Sequence, residues 1–147
     1  MFEYSSIVYS IIAIFIAWIW IDYFRLIDIY EAEKLKYIIL TFILGAASVF
    51  IVNFFVYFVL KDVQFELEGT FFNDFLYCVF KIGCVEEFAK IIPFVIIFFL
   101  FRKQINEPID YIVYISVSAL GFSAAENILY FLRHGAAIIS GRAILST

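Results

Sequence analysis

Four apolar stretches dominate this chain, and each is long enough to cross a membrane as a helix. They cover residues 4–21, 37–60, 75–101 and 111–132. About 20 helical residues span the hydrocarbon core of a bilayer, which is about 30 Å thick. The hydrophobic share of 65% excludes an ordinary soluble domain, in which about a quarter of the residues are charged. The sequence therefore predicts an all-α, polytopic transmembrane helix bundle with four spanning helices and the start of a fifth near Arg142.

The connections between these stretches indicate topology and partners. No repeat or long linker interrupts the chain, so we expect a single membrane-embedded domain over residues 1–147. The first connection, residues 22–36, fits either a short interfacial helix or a solvated loop. The positive-inside rule places the first and third connections in the cytoplasm, because they hold Arg25, Lys34 and Lys36, and Arg102 and Lys103, against Lys61 alone in the second. A net charge of −4 without a basic patch argues against nucleic acid as a partner. The lipid bilayer is the expected environment, most simply a prokaryotic inner membrane.

Two adjacent carboxylates mark the third apolar stretch as a candidate functional site. Glu86 and Glu87 lie near its middle, and Lys90 follows one turn later. Each charge at the centre of a bilayer helix costs roughly 3 kcal/mol on insertion scales. Lys90 can pair with either carboxylate, since around the helix it lies about 40° from Glu86 and, on its other side, about 60° from Glu87. Two carboxylates so close cannot both ionise cheaply, so we expect one to hold a proton while Lys90 stabilises the other. Pro93 is expected to kink the helix beside them.

The fourth stretch contributes a second group of polar residues. Glu126, Asn127 and Tyr130 can share one helix face. A run of small residues precedes them and suits close helix packing, namely Ser118, Ala119, Gly121, Ser123, Ala124 and Ala125. Stretches three and four run antiparallel, and Glu87 and Glu126 lie about 21 and 22 Å from their common end. We therefore expect the acidic groups of the two helices to meet at one depth.

The sequence pattern alone allows three interpretations of these intramembrane charges. They can support catalysis by acids and bases, or relay protons as in a transporter. They can also be ion pairs that hold helices in register. That structural interpretation explains Lys90, but it does not explain why two glutamates share one lysine.

The full set of motifs resembles a known family. The motifs are Glu86-Glu87-Phe88-Ala89-Lys90, then Asp110 at a helix start, then the segment 121–130, which reads GFSAAENILY, then Arg142. This pattern resembles the PrsW family of intramembrane proteases, distant relatives of the CAAX prenyl protease and bacteriocin-processing Abi group. The resemblance implies an endopeptidase, glutamic or metallo in type. It would hydrolyse peptide bonds of membrane proteins, with anti-sigma-factor-like proteins as one possible class of substrate.

The resemblance also implies roles for individual residues. Glu86 or Glu87 would be the general base that activates a water, with Lys90 setting their ionisation. Glu126 and Asn127 would orient the water or the scissile carbonyl. Arg142 would position the last helix, and support for substrate or packing would come from Tyr130, Asp110 and Gly121. The cofactor stays open between zinc and none, and the possible zinc ligands are Glu86, Glu87 and Glu126.

One difference from the family lies at the end of the sequence. Family members continue from the arginine to a histidine a few residues on, whereas this sequence reaches Thr147. His134, the single histidine, is interpreted as a loop residue at a helix end. We therefore expect a partial family member that lacks full catalytic competence as written. The alternatives are a proton-relay transporter subunit and a degenerate, non-catalytic member that binds membrane peptides.

Overall fold

The fold is helical throughout the part of the chain that the structure, a computed structural model, describes. That part comprises residues 2–27, 31, 33–58 and 69–134. The helices are α1 (Phe2–Ile27), α2 (Leu35–Phe58), α3 (Phe71–Leu76), α4 (Cys84–Phe101) and α5 (Pro108–His134), with a π-helical segment, Tyr77–Gly83, joining α3 to α4. This confirms the all-α class. The predicted start of a further helix near Arg142 lies outside the described residues.

Three helices are long and apolar enough to cross a membrane. The spans are Ile7–Ile27 in α1, Leu35–Phe58 in α2 and Pro108–Arg133 in α5, so the chain is an integral membrane protein. The predicted count of four is not confirmed. The third predicted span, residues 75–101, is divided by the π-helical segment. Its remainder, α4, is 18 residues long and carries three ionisable side chains, Glu86, Glu87 and Lys90.

Helices α2 and α5 approach each other closely through two glycines. A Cβ atom added at Gly45 of α2 would overlap the Ser118 carbonyl of α5, and one added at Gly121 would overlap the Phe42 carbonyl of α2. Small residues allow this approach, because helices in membranes gain stability from close backbone packing. The small-residue face predicted for the fourth stretch is thus a packing surface, and its partner is α2.

Two buried apolar clusters lie between the helices. The first lies where α4 ends and α5 begins and has contributions from all four long helices: Ile21, Ile38, Ile97, Ile105, Val113, Tyr114 and Val117. The second comprises Val49, Ala89 and Phe122, one residue each from α2, α4 and α5. Ala89 immediately precedes Lys90, so the second cluster forms the apolar support of the charged segment of α4.

The first and third connections meet at one end of the bundle. The Tyr114 hydroxyl donates a hydrogen bond to Glu33 Oε2 at 2.6 Å, and Lys34 Nζ donates one to Gln104 Oε1 at 2.8 Å. The two connections therefore lie at the same end of the bundle. Their assignment to the cytoplasm stays a prediction.

Candidate functional site

An ion pair on α4 forms the centre of the candidate site. Lys90 Nζ lies 2.7 Å from Glu87 Oε1, one helical turn away. The Lys90 side chain is 23% exposed, whereas the Glu87 side chain is 69% exposed. Of the two carboxylates predicted to share Lys90, Glu87 is therefore the one seen paired with it. Glu86 precedes it on the same turn and is half-buried.

Lys90 also contacts α5 through an aromatic ring. Its ammonium lies 5.2 Å from the centroid of the Phe122 ring, within the range of a cation–π interaction. Phe122 is almost fully buried and belongs to the apolar cluster that contains Ala89. The ammonium is thus held between a carboxylate of its own helix and the ring of a neighbour, so its position depends on the packing of α4 against α5.

A hydrogen bond from Ser118 joins α5 to the backbone of the same lysine. The Ser118 hydroxyl donates to the Lys90 carbonyl at 2.5 Å. Pro93, buried inside α4, has no N–H and deprives the preceding turn of one helical hydrogen bond. In membrane helices, serine hydroxyls and neighbouring helices can satisfy backbone groups disturbed by a proline. The Ser118 bond goes to the adjacent carbonyl, that of Lys90, rather than to the Ala89 carbonyl that Pro93 leaves unbonded, and it fixes Lys90 against α5.

The antiparallel packing of α4 and α5 shows which residues of the two helices lie at the same height along the helix axes. Lys90 contacts Ser118 and Phe122, so moving one turn back along α4 corresponds to moving one turn forward along α5. That step leads from Lys90 to Glu86 and from Phe122 to Glu126. Glu126 is half-buried. A contact between the Glu126 side chain and the carboxylates of α4 stays a prediction.

The other residues named from the sequence have distinct places. Asn127 is half-buried and Tyr130 is exposed, both on α5 after Glu126. Asp110 is buried at the other end of α5, where its carboxylate accepts hydrogen bonds from the backbone N–H groups of Asn106 and Glu107, both at 2.9 Å. This caps the helix start, with Pro108 in the first turn. Gly121 packs against α2. Arg142 lies outside the described residues.

Sequence reasoning missed two contacts between helices and connections, one at this site and one at the other end of the bundle. The bond from Ser118 to Lys90 had a weak signal, a serine in a small-residue face opposite a helix that contains a proline. The buried pair of Glu33 and Tyr114 had none, because the two residues are 81 positions apart.

The described residues do not by themselves provide a metal site. Within residues 2–27, 31, 33–58 and 69–134, no group of three or more His, Cys, Asp and Glu side chains is placed to hold a metal ion. The carboxylate of Glu87, one of the three possible zinc ligands, is engaged by Lys90. Cys78 and Cys84 are free thiols.

Comparison with known proteins gives a consistent result. Residues 33–147 match the family model described as "PrsW family intramembrane metalloprotease". The chain is 35% identical over 128 residues to Protease PrsW of Geobacillus kaustophilus, which covers 85% of this chain and 52% of the relative. It is 33% identical over 132 residues to Protease PrsW of Bacillus subtilis, covering 85% of this chain and 54% of the relative. A similar match, 33% over 124 residues, covers 84% of this chain and 54% of Protease PrsW of Halalkalibacterium halodurans.

These matches cover different shares of this chain and of its relatives. They cover most of this chain, and the chain spans about half the length of the curated relatives that it matches. No solved structure gives a significant match.

Proposed function

The chain belongs to the PrsW family of intramembrane metalloproteases, and we propose that it hydrolyses peptide bonds of membrane proteins with a water activated by glutamate. The observation that carries this proposal is the ion pair between Lys90 and Glu87, which is fixed to α5 by Ser118 and Phe122. Intramembrane charges are costly and are retained mainly where they serve a function. An exposed carboxylate positioned by an ammonium group is placed to accept a proton from a water molecule.

The proposed reaction assigns each step to a side chain of this chain. Glu87, exposed beside Lys90, accepts a proton from a water molecule as the water oxygen bonds to the scissile carbonyl carbon. The carbon–nitrogen bond then breaks, and the carboxyl group returns the proton to the leaving amine. Lys90 holds the Glu87 carboxylate in position through their ion pair. Glu86 is the alternative base, and Glu126 and Asn127 orient the water or the carbonyl. Arg142 positions the segment that follows α5.

The membrane arrangement that we propose for this reaction has four spans. The helical run from the start of α3 to the end of α4 covers residues 71–101 without a break. At 1.5 Å per residue it is about 45 Å long, which exceeds the thickness of a hydrocarbon core. The proposed location is the inner membrane of a prokaryote, since the named relatives come from bacteria. The proposed substrates are membrane proteins, which would reach Glu87 from its exposed side.

The experiment that tests this function measures proteolysis in liposomes by the purified protein, with the chain extended to the full length of its relatives. The probe is a transmembrane peptide with a fluorophore and a quencher on either side of its apolar segment. Glu86→Gln and Glu87→Gln each preserve side-chain size, and loss of the general base should lower the cleavage rate by about 10²–10⁴-fold. Glu31→Gln, at an exposed position in the first connection, is the matched control and should leave the rate unchanged.

Two results would contradict the proposal. One is normal cleavage by both Glu86→Gln and Glu87→Gln. The other is proton flux through liposomes that Glu86→Gln abolishes, in a chain that cleaves no peptide, which would favour a proton-relay transporter.

A further inference from the structure

The first and third connections enclose a polar cleft at one end of the bundle. The cleft has a volume of about 120 Å³ and is lined by Glu31, Glu33, Lys34, Lys103, Gln104 and Asn106. We call it the connection cleft. None of these residues belongs to the candidate active site on α4 and α5. One water needs about 10–15 Å³ of such volume, so the connection cleft has room for a group of several non-hydrogen atoms.

Aromatic side chains below the connection cleft place it at the membrane surface. The rings of Tyr37 and Phe101 lie 4.7 Å apart between their centroids, and Lys36 Nζ lies 4.7 Å from the centroid of the Tyr37 ring. These residues stand at the start of α2 and the end of α4. Tyrosine and lysine at the ends of apolar helices mark the level of the lipid headgroups. The connection cleft therefore opens at that level.

The walls of the connection cleft are held by specific hydrogen bonds. Glu33 is 6% exposed, and its carboxylate accepts a hydrogen bond from the buried Tyr114 hydroxyl. Lys34 donates one hydrogen bond to Gln104, which leaves two of the three donors of its ammonium group for other acceptors. The charged groups thus have defined positions in two connections that are otherwise separated by three helices.

The charges that line the connection cleft balance. Glu31 and Glu33 contribute two carboxylates, and Lys34 and Lys103 contribute two ammonium groups. A ligand that carries one anionic and one cationic group satisfies such a surface better than a simple anion or a simple cation. At the headgroup level of a bilayer, lipids with phosphoethanolamine headgroups have this pair of charges.

We propose that the connection cleft binds the phosphoethanolamine headgroup of a membrane lipid. Lys34 and Lys103 bind the phosphate, and the exposed Glu31 binds the primary ammonium group, while Glu33, held by the Tyr114 hydroxyl, adds its negative charge to that side of the cleft. A primary ammonium donates up to three hydrogen bonds, whereas the trimethylammonium group of a choline lipid donates none to these carboxylates. An anionic glycerol lipid would keep its phosphate on Lys34 and Lys103 but would bring only hydroxyl groups, and no cation, to Glu31 and Glu33. The site is independent of the proposed proteolytic function.

Native mass spectrometry of the full chain tests this proposal. The protein is exchanged into detergent with equal amounts of ethanolamine, choline and glycerol phospholipids of identical acyl chains. We expect the amount of bound ethanolamine lipid to exceed that of each other lipid about tenfold. Two partly exposed ion pairs can supply a difference in binding free energy of that size. The double variant Glu31→Gln/Lys103→Ala changes only exposed side chains and should lose this preference. Arg102→Ala, an exposed neighbour outside the cleft lining, is the matched control and should keep it.

The outcomes that would overturn the proposal are specific. Equal retention of the three lipids by the unmodified chain would do so, as would an unchanged preference in the double variant. A separate arm uses soluble glycerophosphoethanolamine, which shares the headgroup but lacks acyl chains. It should bind more weakly than the lipid, because the headgroup level favours a ligand anchored in the bilayer. Equal affinity for the soluble compound would overturn the assignment to a lipid.

Discussion

Replacing Gly121 by alanine should weaken the packing of α5 against α2. The added Cβ would overlap the Phe42 carbonyl oxygen and would lie 3.0 Å from the backbone nitrogen of Ala46. Both are backbone atoms, so no side-chain rotation relieves the overlap, and the two helices must separate locally. Gly45→Ala should act in the same way from the opposite side, because its Cβ would overlap the Ser118 carbonyl.

The expected magnitude follows from two opposing effects. Alanine is favoured over glycine within a helix by about 1 kcal/mol, while overpacking of a close contact costs about 1–3 kcal/mol and occasionally more. Because the obstacle is backbone, we take the upper part of that range and expect a net loss of about 1–2 kcal/mol for each variant. The double variant should lose less than the sum, since one separation of α2 from α5 relieves both overlaps.

Reversible unfolding in mixed detergent micelles, followed by circular dichroism, measures these free energies. Gly83→Ala is the matched control, because its Cβ would meet only the Cys78 carbonyl oxygen at 3.3 Å. That variant should differ from the unmodified chain by less than about 1 kcal/mol, since the gain in helix propensity offsets a tight but not overlapping contact. If Gly121→Ala and Gly45→Ala were as stable as the unmodified chain, the close approach of the two helices would be refuted.

Three further predictions concern hydrogen bonds and charges. Ser118→Ala removes the donor to the Lys90 carbonyl and should lower the free energy of unfolding by about 0.5–1.5 kcal/mol, with Ser118→Thr retaining most of it; equal stability of the alanine variant would contradict the bond. Tyr114→Phe leaves the buried Glu33 carboxylate without its donor and should cost about 1–3 kcal/mol in the same unfolding assay; an unchanged midpoint would exclude the pair. Lys90→Met removes the ion-pair partner that positions Glu87 and should reduce peptide cleavage in liposomes by at least about tenfold while the protein still inserts; full activity would show that cleavage does not depend on this ion pair.

The spanning helices could be predicted from sequence because apolarity and length are properties of a single segment. The predicted stretch 37–60 corresponds to α2, Leu35–Phe58, and the stretch 111–132 lies within α5, Pro108–His134. For α1 the stretch 4–21 was too short, since the helix continues to Ile27 past the charged Asp22. A lone ion pair between Asp22 and Arg25, at 3.6 Å within one turn, accommodates these charges in a helix that has reached the membrane surface.

Within the candidate site, only contacts between residues of the same helix could be predicted from the sequence. The spacing of Glu87 and Lys90 follows from helical periodicity, and the structure shows them paired. The contacts of Lys90 with Ser118 and Phe122 depend on which face of α5 meets α4, and no pattern within either segment specifies that face. The π-helical segment before α4 was not predicted either, because a π-helix differs from an α-helix in its i→i+5 hydrogen bonding and has no distinctive residue composition.

Insertion of α4 into the membrane should depend on α5 more than insertion of α5 depends on α4. The charges on α4 are each unfavourable at the centre of a bilayer by roughly 3 kcal/mol on insertion scales. Two of the contacts that offset this cost for Lys90 come from α5, the Phe122 ring and the Ser118 hydroxyl. Because α5 follows α4 in the chain, these contacts form only when both helices are present, and we expect the pair to enter the membrane as a hairpin. Length and apolarity of single segments identify α1, α2 and α5 as spans but not α4, which is 18 residues long and carries three charges. The proposed fourth span therefore depends on contacts between α4 and α5.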